Sequence, residues 1–474
     1  MRPVILNVFS AINKMREDDV MDFIEYFTDE LLKKIKNADP VWIRNISVQL
    51  ISSCSAGIEI KDVSTHNPNL LQLGIGRSTS GKTTPITKFA RPVLTDVGLL
   101  TRPVTLPFDS SSIEAIISYC SQKHIFHALA VHDEFATILK QRSKKGHYLS
   151  DIDKFLNHVF DGTGYDRVTR PRGEVKHDVI APNSYYSFIS TMTKGELKLM
   201  DESWFSGGTG NRFLYTIITP SGRRKLSDLQ IDPNFKLNVV PFLAALYSTR
   251  GTIVFSDGAL STYQSRFDVM EDTRNRFELI DPVYADYVAR IGPEFIPKLA
   301  GIKALSELFT LNLVAQVGDD SEIVNESMKI LATKKESLQK TDDDDSYFTK
   351  KKTEVLETYT EFPIWCAYLK KLIHNGTVIV EDSHVEWAFQ KCLTYFEHFK
   401  NLILMTPAIG EANDDEIMSQ RIIQAIGGGA TTDGRIANRA RIDQSNFNRL
   451  MAELVKTGKV LKVDILGKIH YTIP

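Results

Sequence analysis

Apolar residues recur at three- and four-residue steps near the start of the chain: Val20, Phe23, Ile24, Phe27, Leu31, Leu32 and Ile35, with charges between them. That period is the stripe of an amphipathic helix, and Pro40 is expected to end it. A second apolar helix is expected from residue 41 to about residue 56, closed by Gly57. From about residue 69 to 218 the pattern changes to short apolar runs at 70–75, 104–108, 127–131, 185–189 and 213–218. Their alternation with helical segments predicts an α/β layer built on a mostly parallel five-stranded sheet. Residues 227–404 read as mainly helical. They are interrupted at 318–352, where four aspartates (Asp342 to Asp345) precede Lys350, Lys351 and Lys352. Short blocks of like charge read as solvated loop, so an insertion or mobile loop is expected there.

After Pro407, residues 408–415 read as a linker. A compact unit of about 60 residues follows. It carries a helix at 416–426, glycines 427–429, a short helix at 433–440 and a helix at 444–456, with Asp443 placed to cap the last helix and Gly458 to end it. Strands at 460–465 and 469–473 then flank Leu466, Gly467 and Lys468. Three helices followed by a β-hairpin is the order of a winged helix. Four regions are therefore expected: N-terminal helices (1–66), a nucleotide-binding core (67–226), a helical lid (227–407) and a winged helix (408–474).

A length of 474 residues exceeds one ordinary core and agrees with several domains. The chain is 42% hydrophobic and 24% charged with a formal net charge of -2, which gives no global attraction to nucleic acid or membrane, so any polyanion site is local. The N-terminus lacks the small-residue cleavage pattern of a signal peptide, and no uninterrupted apolar run reaches about 18 residues. A cytoplasmic protein without membrane association is expected. Cys54, Cys120, Cys366 and Cys392 lie far apart with no C-x-x-C pairing, as expected of buried thiols in a reducing compartment.

Candidate chemistry centres on Gly76-Arg77-Ser78-Thr79-Ser80-Gly81-Lys82-Thr83, the G-x-x-x-x-G-K-[ST] pattern of a phosphate-binding loop. It follows an apolar strand and precedes a helix, so backbone N–H groups, including those near Ser80 and Thr84, can surround phosphates at a helix N-terminus. Lys82 would neutralise phosphate oxygens and Thr83 would hold Mg²⁺; Gly76 and Gly81 permit the tight backbone. About fifty residues on, Asp133-Glu134 ends a buried strand. Asp133 suits the magnesium shell, and Glu134 suits orienting and deprotonating the attacking water. Such a pair standing alone more often caps a helix.

The strand at 185–189 leads into Ser190-Thr191-Met192-Thr193. Ser190 or Thr191 is placed to sense the γ-phosphate, and plain strand-end capping is the alternative. Arg212 precedes the last core strand, where an arginine can reach into a neighbour's site or pair with a carboxylate of its own chain. Residues 166–180 read as a β-hairpin carrying Arg167, Arg170, Arg172 and Lys176, suited to phosphate-backbone contact or to a solvated edge. In the winged helix, Arg435, Arg439, Arg441, Asn446, Asn448, Arg449 and Lys456 populate the second and third helices and Lys468 sits at the hairpin tip. Asn448 and Arg449 suit base edges and Lys468 phosphates, although winged helices also serve as protein contacts.

Gly81-Lys82-Thr83-Thr84-Pro85, Asp133-Glu134-Phe135 and Gly210-Asn211-Arg212-Phe213-Leu214 resemble a family of phage and mobile-element P-loop ATPases, catalogued as a domain of unknown function and often found with primases. The likeness continues through Ala289-Arg290, Lys298-Leu299-Ala300 and residues 385–404, covering roughly residues 35–405. The motif order is also similar to superfamily 3 and minichromosome-maintenance helicases. The resemblance implies an AAA+-like core, ATP and Mg²⁺, a hexameric homo-oligomer, an arginine finger at Arg212, a second sensor at Arg290, and a primase or polymerase as partner. No asparagine stands near Ser190, where these helicases carry a sensor. The expected function is ATP-dependent DNA helicase or translocase activity in replication of a virus or mobile element. The alternative is an ATP-switched DNA-binding initiator or defence regulator that does not unwind. A metabolite kinase is disfavoured by the winged helix.

Overall fold

The computed structural model describes residues 22–473 apart from 36, 56, 79, 107–112, 143–151, 170–175, 207, 221–230, 279–280, 312, 314–316, 318–319, 340–345, 407–413, 428–429, 441 and 466–467. The chain divides into two compact units, one of residues 1–199 and 203–402 and a smaller one of 200–202 and 403–474. The N-terminal helices, the sheet and the long helical stretch, expected as three regions, thus belong to one unit.

Its strands are β1 (Ile58–Lys61), β2 (Thr65–His66), β3 (Leu71–Gly76), β4 (Thr105–Leu106), β5 (His127–His132), β6 (Tyr165–Thr169), β7 (Lys176–Ile180), β8 (Tyr185–Thr193), β9 (Phe213–Ile217), β10 (Gly251–Phe255) and β11 (Ile379–Val380). The central sheet has the order β4-β5-β8-β3-β9, and every neighbouring pair in it is parallel. The first of these strands in the sequence, β3, lies between the fourth and the fifth. It is buried along its whole length, as a strand covered on both faces must be.

One face of the sheet carries an aromatic cluster. Phe135 meets Phe188, Trp204 and Phe213 with ring centroids 5.4–5.8 Å apart, in the tilted and edge-on geometries that aromatic quadrupoles favour. The other face is covered by the helix Pro40–Cys54. Asp39 caps this helix by accepting from the Val41 and Trp42 amides, so Pro40 starts a helix instead of ending one; it occupies the first-turn position, where no N–H is needed. The preceding helix, Phe23–Lys34, stops before it. Polar pairs run along the contact between the helix Pro40–Cys54 and the sheet: Asn45 donates to Thr216 (2.8 Å), Gln49 to the Leu70 carbonyl (3.3 Å), and Ser52 meets Ser187 (3.1 Å).

A second sheet went unpredicted. Its order is β11-β10-β1-β2, with β1, β10 and β11 parallel and β2 antiparallel to β1. The segment expected as a loop is corrected too. Helices span Ser321–Gln339 and Ser346–Thr358, with Ile323 and Leu356 buried; the aspartate run between them lies outside the described residues. Among the described residues no helix is long and apolar enough to cross a membrane.

The smaller unit has helices Asp414–Gly427, Asp433–Ala440 and Gln444–Lys456, then an antiparallel hairpin of β12 (Leu461–Ile465) and β13 (Lys468–Thr472). Its core is Ile422, Ile436, Phe447, Leu450, Val460 and Tyr471 with their neighbours. Asp443 caps the third helix by accepting from the Ser445 and Asn446 amides, and Gly458 takes φ +72° just beyond its end, the left-handed conformation that costs glycine least.

Candidate nucleotide-binding site

The loop 76–83 leaves the C-terminal end of β3 and enters a helical stretch, a π-turn over Pro85–Ala90 that runs into the α-helix Arg91–Leu100. Gly81 has φ +72°, which a side chain would make costly. A Cβ on Gly76 would stand 2.6 Å from the Ser80 hydroxyl, so the backbone can pass only as glycine. The loop is anchored from outside by the helix Pro40–Cys54 and the turn before it: Trp42 Nε1 donates to the Lys82 carbonyl at 2.8 Å, and Asn37 lies against Gly81.

The loop is closed on itself. Ser80 donates both its amide (3.0 Å) and its hydroxyl (2.7 Å) to the Arg77 carbonyl, and Lys82 Nζ donates to the Gly76 carbonyl at 3.2 Å. Ser80 is fully buried, so the group expected to face phosphate is spent inside the loop. Thr84 begins the helical stretch and makes no side-chain capping bond. Lys82 is only 7% exposed. Burial holds its ammonium below the ordinary lysine value, and the charges of Glu196 and Glu134 work against that shift. A buried ammonium bonded to one carbonyl retains two donors for an anion.

Asp133 and Glu134 follow the end of β5. Asp133 lies 3.7 Å from Arg91 of the helix that follows the loop, and the Glu134 amide donates to His132 Nδ1 at 3.2 Å. The acidic strand end and the loop therefore share one edge of the sheet, with Lys82 within the field of Glu134. Comparison with protein-family models and with curated proteins found no match.

Ser190 stands beside the acidic strand end, three residues before the level of Gly76. It pairs with Leu73 and His132, is fully buried, and donates its hydroxyl to the His132 carbonyl at 2.5 Å. Thr191 likewise donates to the Asp133 carbonyl (2.8 Å). Both tie strands together, which is the strand-capping alternative. The residue level with Gly76 is Thr193, because β8 runs four residues beyond the apolar stretch that predicted it. Thr193 donates to Glu196 (2.6 Å), and Lys140 lies 3.4 Å from the same carboxylate. Burial acts to raise the Glu196 pKa, but the bonds from Thr193 and Lys140 hold it below the usual carboxylate value. Thr193 stood in the polar run read at the strand end but was not singled out, and Glu196 and Lys140 escaped sequence reading; extending the strand to match the length of β3 would have favoured Thr193.

Arg212 stands at the other end of the sheet. Phe213 pairs with Leu71, so Arg212 is level with Leu70, six residues before Gly76. At the rise of a parallel strand that is roughly 20 Å from the loop, beyond one side chain's reach. Its guanidinium forms a two-point pair with Asp161 (3.2 and 2.7 Å) and donates to the Gly208 carbonyl (2.9 Å). Arg290 is also away from the loop, bonded to Glu294 at 2.5 Å. Both arginines act on the charge of Lys298, which bonds Asn69 just before β3. Arg290 thus stands with Arg212 at the far end, away from its own chain's loop.

The hairpin at 165–180 forms as expected, with Arg167 opposite Asp178 and Thr169 opposite Lys176; Arg170 and Arg172 lie outside the described residues. In the smaller unit Asn448 accepts from Gln444 (2.9 Å) and Arg449 lies 3.4 Å from Asn446, all on the exposed side of the third helix. Lys468 pairs with Ile465 at the hairpin end. All four cysteines are free and buried.

Proposed function

We propose that this chain is an ATP-hydrolysing P-loop motor with an AAA+-like core, a helical lid and a winged helix, working as a ring of identical copies that translocates on and unwinds DNA. The observation that carries the reading is the separation of the phosphate-binding loop and Arg212 at opposite ends of one parallel sheet. If Arg212 acts on phosphate at all, that distance leaves only a neighbour's loop for it, which supports a site completed by two copies.

Lys82 and the amides of the loop, once turned outward, bind the β- and γ-phosphates. Glu134 orients the attacking water and takes its proton, ADP and phosphate leave, and Arg212 of a neighbouring copy stabilises charge on the transferring group. Thr83 and Asp133 supply the hard oxygen ligands for Mg²⁺, which neutralises phosphate charge when bound. Among the described residues no three His, Cys, Asp or Glu side chains converge as a metal cage, and a phosphate-bound Mg²⁺ needs none, since it keeps several waters and takes one or two protein ligands. The hairpin carrying Arg167, Arg170, Arg172 and Lys176 supports contact with a single strand in the channel, and Asn448, Arg449 and Lys468 support duplex contact by the winged helix. A primase or polymerase is the partner class for such a motor.

The closed loop favours a second reading, an ATP-switched DNA-binding initiator or defence regulator that assembles without unwinding. The deciding experiment measures strand separation on a forked duplex. Wild-type protein separates the strands and Lys82→Ala and Glu134→Gln do not; ATP-dependent assembly on DNA with no separation by any form rejects the motor in favour of the switch. Electron microscopy with an ATP analogue and single-stranded DNA should show rings.

A further inference from the structure

Arg212 is not alone at the far end of the sheet. Within one cluster stand three cations, Arg212, Arg290 and Lys298, and two carboxylates, Asp161 and Glu294, all within electrostatic reach of Lys298. Lys298 is 6% exposed, bonds Asn69 Oδ1 at 2.8 Å and lies 3.8 Å from the Phe160 ring centre. Burial pushes its ammonium down to about 8. Asp161 pairs with Arg212 and Glu294 with Arg290, so each carboxylate in the cluster is already engaged by an arginine.

The two partners of the main pair differ in exposure. The Arg212 side chain is 12% exposed and that of Asp161 is 35%. Asp161 is thus the more accessible partner, and its two oxygens already occupy two of the guanidinium's donors. Like charges a few ångströms apart repel, so a phosphate can engage Arg212 only after Asp161 gives way.

We propose that Asp161 is a latch: it holds Arg212 in the unassembled chain and yields it to the γ-phosphate of nucleotide bound on a second copy, so that the exchange of carboxylate for phosphate limits hydrolysis to assembled protein. Glu294 pairs with Arg290 at 2.5 Å beside it. This rests on the shared-site reading above, with Asp161 as a regulator of the arginine and not a catalytic residue. The latch also sets the threshold for assembly, because every new interface must first break an ion pair. A two-point pair of this exposure resists release by more than an ordinary surface contact.

The test is specific ATPase activity of the full chain against protein concentration, for wild type, Asp161→Asn and Arg212→Ala, with thermal melting to confirm folding. Asp161→Asn keeps the side-chain shape and one hydrogen bond. It is expected to lower the half-saturating protein concentration by about fivefold, the scale of one partly exposed pair, while the plateau stays within about twofold. Arg212→Ala is expected to lose the plateau at every concentration while still forming oligomers by sedimentation. An unchanged half-saturating concentration in Asp161→Asn overturns the latch, and so does a plateau lost as in Arg212→Ala, which would make Asp161 a support that positions the arginine. The shared-site reading fails separately, if wild type has no ATPase activity or if Arg212→Ala keeps its plateau.

Discussion

Replacing Trp42 with phenylalanine tests whether the helix Pro40–Cys54 holds the proposed phosphate-binding loop in shape. Trp42 is 1% exposed, its ring occupies the space a side chain on Gly74 would need, and its indole N–H donates to the Lys82 carbonyl at 2.8 Å. Phenylalanine removes the donor and leaves that carbonyl without its partner in a buried site, a loss of about 1–3 kcal/mol. The smaller ring forfeits roughly another 1 kcal/mol of apolar burial. A total of roughly 2–4 kcal/mol is a large share of the about 5–15 kcal/mol that holds a typical domain folded, so the urea midpoint should fall clearly while the protein stays folded at 25 °C. The freed carbonyl also loosens Lys82, and ordering it again on binding comes out of nucleotide affinity. With tenfold for each 1.4 kcal/mol, a fluorescent ATP analogue should bind roughly three- to tenfold more weakly. A variant that loses the stability but binds the analogue as wild type does would show that Trp42 only fills the core, and the anchoring argument would fall.

Three further outcomes are expected. Gly81→Ala, forced to φ +72° with its Cβ 3.3 Å from Asn37, should weaken nucleotide binding more than tenfold, whereas Gly376→Ala, at φ +63° in open space, should cost only about 1 kcal/mol of stability and leave ATPase activity intact; equal effects on binding would refute a special role for the loop glycine. Burial, with Arg250 nearby, pushes His127 down to about 4 from 6.5, so between those values the unfolded chain binds more protons; the stabilisation is full above pH 6.5 and is lost as pH falls through about 4, roughly 3 kcal/mol in all. His127→Phe should flatten that part of the pH dependence of the urea midpoint, and an unaltered acid limb would reject the assignment. Burial also raises the thiols, Cys120 to about 11 and Cys366 to about 12, so a disulfide reagent should label none of the four cysteines until the protein is unfolded; labelling of native protein would contradict the packing.

The elements that could be read in advance are those whose cause is local. Asp443 and Gly458 mark the ends of a helix by their own chemistry, and the apolar run before Gly76 needs no partner to be seen as a buried strand. Reading failed where the cause lies far along the chain. The second sheet pairs Ile58 with Gly251 and Val254 with Ile379, through strands of two to five residues, too short to show a period. The helix Ser321–Gln339 was hidden by the charges around it. In the site, the loop and the Asp-Glu pair were visible because their residue types are specific. The partners of Ser190 and Arg212 could not be read, because register decides which residue of β8 lies beside Gly76 and Asp161 is 51 positions from Arg212.

The polar seam between the helix Pro40–Cys54 and the central sheet bears on how the chain is made. Asn45 needs Thr216, 171 residues later, and Tyr395, 350 residues later. At a synthesis rate of about 5–20 residues per second, the first of these partners leaves the ribosome on the order of ten to thirty seconds after Asn45 does. Through most of that interval the sheet that Trp42 packs on is incomplete, and Ser52 waits for Ser187, 135 residues after it. A finished helix waiting that long with an apolar flank exposed is a substrate for holding chaperones, and starving the cell of them should cost this protein yield even where its final fold is stable.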